Sequence, residues 1–290
     1  MNKYILTTFT LFILLSLNAQ IIDVHLHSYT DTDYWGGRIH PTGIESPTNA
    51  DEHLMETISL MDKHNIEYAV VSGSIKSLDK YVSADSRFIP GYMDEESLIP
   101  ISEFENFIRK GEIKVFGEVT GVYHGRTLND PIYEPYLKIC EDYGVPVAYH
   151  TGGGPPMTPY RCCPKFRISL GDPLLIEEVL VKFPKLQVYL MHGGEVFYEH
   201  AIRMMQMYTH LYIDVGVILW VSPALQDYAI NLLKLAKKAN VLDRVMFGSD
   251  QMVWPDATSK SIEFLNSLDF LSENDKKMIL YDNAKRFLKL

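Results

Sequence analysis

Short apolar runs alternate in strict order with polar, mostly helix-period stretches, and this alternation constrains the fold more than any other feature of the chain. There are eight such runs: Ile21–Leu26, Tyr68–Ser72, Phe88–Tyr92, Lys114–Val119, Pro146–His150, Gln187–His192, Leu211–Val215 and Val245–Asp250. Between them lie amphipathic stretches such as Asp51–His64, where Leu54, Ile58 and Met61 recur at helical spacing. Others are 101–109, 131–143, 173–183, 198–207, 223–239 and 259–268, several opened by an N-cap residue and proline, as at Asp172-Pro173 and Ser222-Pro223. A last helix, 273–288, is expected on the outside. Eight strand–helix units predict an α/β fold of the (β/α)8, or TIM, barrel type, for which about 250 residues is usual. No linker or low-complexity stretch divides the chain, so residues 21–290 read as one domain.

The first twenty residues stand apart. Lys3, an apolar stretch from Tyr4 to Leu17 and the small Ala19 predict a signal peptide over 1–20, cleaved near Ala19. The stretch is short for a membrane span, so the expectation is a periplasmic or secreted protein without stable membrane insertion. Cleavage leaves 26 basic against 37 acidic side chains. With no basic block anywhere, nucleic acid is excluded as the main partner and a small-molecule substrate is expected; a homodimer stays open.

Function is signalled by where the polar residues fall. Run one ends in Asp23-Val24-His25-Leu26-His27, and strand alternation turns Asp23, His25 and His27 to one side, the barrel interior. Two imidazoles one pleat apart can share a metal ion. Glu118, His150, His192 and Asp250 stand at or near the ends of four further runs, where barrel active sites are built. Burying six such groups around one axis without a cation is costly, because each unpaired buried charge costs several kcal/mol.

Asp23-x-His25-x-His27, Gly117-Glu118, His150, His192-Gly193-Gly194, Gly248-Ser249-Asp250 and Asn283-Ala284-x-x-Arg286-Phe287 resemble the amidohydrolase superfamily, in its amidohydrolase-related branch, from Asp23 to Phe287. That branch includes aminocarboxymuconate-semialdehyde decarboxylase, resorcylate-type decarboxylases, and hydrolases of lactones and dicarboxylates. The resemblance implies a divalent metal held by His25, His27, His150 and Asp250, with His192 near bound water or substrate. Zinc is the first expectation, with manganese, iron or nickel as alternatives. Glu118 stands where two-metal members carry a bridging carboxylate, which leaves one metal against two undecided; a salt-bridged structural role is the alternative.

A metal lowers the pKa of bound water to about 7. Asp250 is then the general base, and His192 stabilises the oxyanion or orients the nucleophile. In the long segment 151–170, Arg161 and Arg167 are candidates to grip a substrate carboxylate. The neighbouring Cys162 and Cys163 are expected to stay unpaired, and Trp35, Trp220 and Trp254 to pack as loop core. The leading function is a metal-dependent hydrolase of a small ester, lactone or amide. The alternatives are a decarboxylase or hydratase on the same metal and a binding protein that keeps only the barrel.

Overall fold

The computed structural model describes residues 20–94 and 97–290. The expected signal peptide, apart from Gln20, lies outside these residues. Eight parallel strands follow one another around a single sheet in chain order. They are β1 (Ile21–His27), β2 (Ile66–Gly73), β3 (Phe88–Tyr92), β4 (Val115–Val119), β5 (Val147–His150), β6 (Val188–Met191), β7 (Leu211–Asp214) and β8 (Val245–Met246). The predicted (β/α)8 barrel is the observed fold.

β8 keeps only two strand residues, and the sheet closes on β1 by substitute bonds. Val24 N donates to Phe247 O (3.0 Å) and Asp250 N to His25 O (2.8 Å). Asp23 adds a side-chain link, its Oδ1 accepting from Ser249 N and His25 N, both at 3.0 Å. Asp23 thus stitches the seam, and its full burial pushes its carboxyl up to about 7.

The helices follow the amphipathic stretches. Ala50–Lys63 is capped by Asn49, whose side chain accepts from Glu52 N, and Pro223–Lys238 by Ser222, which accepts from Leu225 N. A further helix, Ile75–Ala84, not among the expected stretches, fills the β2–β3 connection; its Ile75, Leu78, Tyr81 and Val82 recur at helical spacing, and it buries Ser77, Leu78 and Tyr81. The final helical segment differs from expectation in position. Tyr281, Ala284 and Phe287 form a stripe that closes the barrel floor rather than lying outside, joining Ile22, Val24, Val70 and Tyr189 in one buried cluster. Phe287, 1 % exposed, stacks within 5.5 Å of Tyr189 and 4.6 Å of Tyr212.

Candidate metal centre

The opposite end of the barrel is built from short polar segments. β1 delivers His25 and His27, β4 Glu118 and β5 His150, while His192 and Asp250 stand just past β6 and β8. Their side chains are almost wholly buried and converge. His27 Nε2 is 3.0 Å from Asp250 Oδ1 and 3.4 Å from Glu118 Oε2; His25 Nε2 is 3.6 Å from each of the same two oxygens. The other Glu118 oxygen, Oε1, faces His150 Nδ1 at 2.6 Å and His192 Nε2 at 3.5 Å. All six residues expected to gather do so, and Glu118 is their hub.

Hydrogen bonds on the far side of three rings fix which nitrogen faces inward. His25 Nδ1–H donates to Asp214 Oδ2 (3.1 Å), His150 Nε2–H to Gly153 O (2.8 Å) and His192 Nδ1–H to Gly216 O (3.2 Å). Each ring therefore turns its other nitrogen toward the centre, the arrangement by which outer-shell partners prepare metal-binding histidines.

The electrostatics follow from the crowding. Burial alone lowers the affinity of His25 for a proton, but Asp250 and Asp214 outweigh it and hold the imidazole well above its ordinary range. His192 is likewise raised: burial opposes, and Glu118 and Asp250 prevail. Burial pushes Glu118 and Asp250 upward, yet the surrounding imidazoles bring Glu118 well below the usual carboxylate range and lower Asp250. The pocket demands positive charge. Protons supply it when nothing else does.

Two atoms reveal that protons are a poor fit. His25 Nε2 and Asp250 Oδ1 are buried and have no hydrogen-bond partner, although each faces the cluster. Three overlapping groups, His25/His192/Asp250, His25/His27/Glu118 and Glu118/His150/His192, each offer ligand atoms within 4.8 Å of one another. Orphaned donors of these types, at this spacing, fit a divalent metal ion. His192 joins two of these groups, as a fourth imidazole beside His25, His27 and His150.

Backbone conformation supports the same centre. His192, Glu195, Val217, Asp250 and Met252 all have positive φ, and all lie on the loops after β6, β7 and β8. Non-glycine residues in that region are held there by their surroundings, and they concentrate at functional sites. Gly216 has no room to be anything else, since a Cβ there would stand 2.7 Å from His25 Nδ1.

Other expected residues lie elsewhere. Arg167 donates to the carbonyls of Pro164 and Phe166 and is exposed, and Arg161 is exposed at the end of a single helical turn, Thr158–Arg161. Among the described residues, neither arginine bonds to a residue of the cluster, although the same segment packs Phe166 against Tyr123, which lies edge-on to His150 at 5.1 Å. Cys162 and Cys163 are paired as a disulfide, contrary to expectation: both amides bond to Thr158 O, folding the two residues into one turn. Trp220 and Trp254 are buried with Tyr29 and Ile44 as loop core, and Trp35 meets Trp254 edge-on at 5.2 Å.

Three supporting residues escaped the sequence reading. Asp214 orients His25 and also accepts from His192 N (2.9 Å) and Gly216 N (2.8 Å). Its signal was a lone carboxylate ending the apolar run of β7. Glu195 accepts from Gly153 N (2.7 Å), bracing the peptide whose carbonyl holds His150. Gln251 bonds the backbone of His27.

Comparison with known proteins bears on the fold and the family. No curated protein matches the chain. Among solved structures, an uncharacterised TIM-barrel protein from Bordetella bronchiseptica is 23% identical, covering 93% of this chain and 98% of that one with a TM-score of 0.69. A probable 2-pyrone-4,6-dicarboxylic acid hydrolase from Acinetobacter baumannii, with citric acid bound, is 16% identical, covering 93% and 99% with a TM-score of 0.65. A 5-carboxyvanillate decarboxylase from Novosphingobium aromaticivorans, with bound manganese, is 15% identical, covering 94% and 97% with a TM-score of 0.63. These likenesses establish the fold. The family model for amidohydrolases matches residues 22–290, nearly the whole chain, and the protein therefore belongs to the amidohydrolase family of metal-dependent enzymes.

Proposed function

We propose that this protein is a metal-dependent hydrolase of a small ester, lactone or amide. The observation that carries the reading is the buried Asp250 Oδ1, set 3.0 Å from His27 Nε2 and 3.6 Å from His25 Nε2 and aimed into the cluster. A buried carboxylate oxygen held among imidazoles is placed to accept a proton. The two faces of Glu118 support two cation positions: Oε2 with His25, His27 and Asp250, and Oε1 with His150 and His192. When bound, the metal lowers the pKa of water and polarises a substrate carbonyl.

The chain's own residues do the rest. Asp250 takes the proton of the attacking water at Oδ1 and returns it to the leaving group. Asp214 keeps the Nδ1 proton on His25, so that Nε2 stays available. Gly153 O does the same at His150. We further propose that the substrate is met outside the cytoplasm, after cleavage near Ala19.

A pH-stat assay on metal-loaded protein tests the reading. Acid release from a panel of simple lactones and esters, abolished by chelation, is the expected result. Carbon dioxide release from aromatic acids with no ester or lactone turnover would replace the hydrolase with a lyase.

A further inference from the structure

We infer that Gln251 is a positioning residue that holds His27 against Asp250 across the β8–β1 seam; the inference rests on reading both as metal ligands. The seam is the weakest join of the barrel, because β8 has two strand residues and the chain then leaves the sheet. Among the described residues, its backbone bonds to β1 are Val24 N to Phe247 O and Asp250 N to His25 O. Nothing of the main chain reaches His27 from that side. The side chain of Gln251 does: its Oε1 accepts from His27 N at 3.0 Å, and its Nε2 donates to His27 O at 3.3 Å.

A primary amide is suited to this task because it offers an acceptor and a donor side by side, as a neighbouring peptide would. Glutamate would only accept, and asparagine is one methylene too short. The amide is fully buried, so the two bonds carry no competition from water. Gln251 also follows Asp250 directly in the chain. One residue thus fixes both partners of the His27 Nε2–Asp250 Oδ1 pair, 3.0 Å apart.

The turn that presents this amide is held in an unfavourable shape. Asp250 and Met252, on either side of Gln251, both have φ of 47°. Positions of this kind persist where the surroundings over-determine them. Buried His53, on the helix Ala50–Lys63, supplies the outer restraint: its Nε2–H donates to Met252 O at 2.8 Å, and its Nδ1 accepts from Tyr81 OH at 2.7 Å. The turn is anchored on one side by His53 and delivers its hold on the other through Gln251.

Cobalt(II) titration of chelator-treated full-length protein tests the inference, reading affinity and the visible absorption band at saturation. Gln251→Met keeps the reach of the side chain and removes both bonds. Loss of an outer-shell partner weakens metal binding about 10- to 100-fold, and that loss with an altered cobalt band is expected for Gln251→Met. Gln251→Asn, which keeps the amide but cannot reach, is expected to show a smaller loss and is decisive if Gln251→Met does not fold. Leu268→Ala, a buried apolar change just past the helix Ala257–Asn266, is expected to lower Tm with the cobalt band unchanged, separating destabilisation from positioning. Wild-type affinity and band in a folded Gln251 variant would overturn the inference alone. Wild-type protein that takes up no cobalt would overturn the metal reading, and this inference with it.

Discussion

The two ends of the barrel are made from the same eight strands yet obey opposite rules. At the floor, Ile22, Val24, Val70, Tyr189 and Met246 fill the interior and Phe287 caps it; the one hydroxyl among these residues, Tyr189 OH, donates to Val24 O at 3.0 Å. At the mouth, a few residues further along the same strands, the interior holds four imidazoles and two carboxylates, among them two orphaned polar atoms, beside loops with several left-handed residues. The floor minimises exposed polarity and strain, as a packed core should. The mouth keeps both, and only the floor and outer layer make that tolerable. Stability and chemistry are divided along the barrel axis, which is how such barrels separate the two demands.

The largest expected effect at the mouth comes from Asp250→Asn. Removing the general base lowers turnover about 10²- to 10⁴-fold, with the far-ultraviolet dichroism unchanged. A variant that keeps a third of wild-type turnover would mean that Asp250 does not accept the proton. The matching change at the floor is Phe287→Ala. It is expected to cost about 3–5 kcal/mol in denaturant unfolding, with turnover per folded molecule retained. A loss of turnover exceeding the unfolded fraction would show that the two ends are not separable.

The mouth also predicts a pH dependence that the floor does not share. Without metal, His25 and His192 are held above the ordinary imidazole range. Their protonated forms therefore stabilise the fold fully below about pH 6.5, and that contribution is lost as pH rises through the raised values. Metal displaces those protons and binds better as pH rises. The Tm difference between loaded and chelated protein is accordingly expected to widen between about pH 6 and pH 9, each kcal/mol moving Tm by about 2–4 °C. A constant difference would contradict the electrostatic account. The smallest effect is expected for Arg167→Ala, whose guanidinium serves only neighbouring carbonyls; kcat/KM should change by less than about twofold on a neutral ester.

The same division explains what was legible in the sequence. Floor and strands were readable because local apolar periodicity encodes them, and His25, His27, Glu118, His150, His192 and Asp250 were readable because strand ends in such a barrel share one mouth. Asp214 and Gln251 were not, since their meaning lies in bonds to β1, 189 and 224 residues away, and no local period records such a partner. The local bonding of Arg167 to the Pro164 and Phe166 carbonyls was hidden for a related reason: three consecutive glycines leave the course of segment 151–170 to contacts such as Glu195 with Gly153. The floor-capping of Phe287 was misplaced because an amphipathic helix shows that one face is buried without showing against what.

Glu118 joins these observations, because its two oxygens face two sets of imidazoles. Elemental analysis of protein reloaded with manganese and freed of excess ion tests that directly, with Glu118→Gln analysed alongside. About two equivalents per chain for the wild type, falling to one or fewer in the variant, is the predicted result. Less than about a tenth of an equivalent in the wild type, with no stimulation of turnover by added zinc or manganese, would contradict the account.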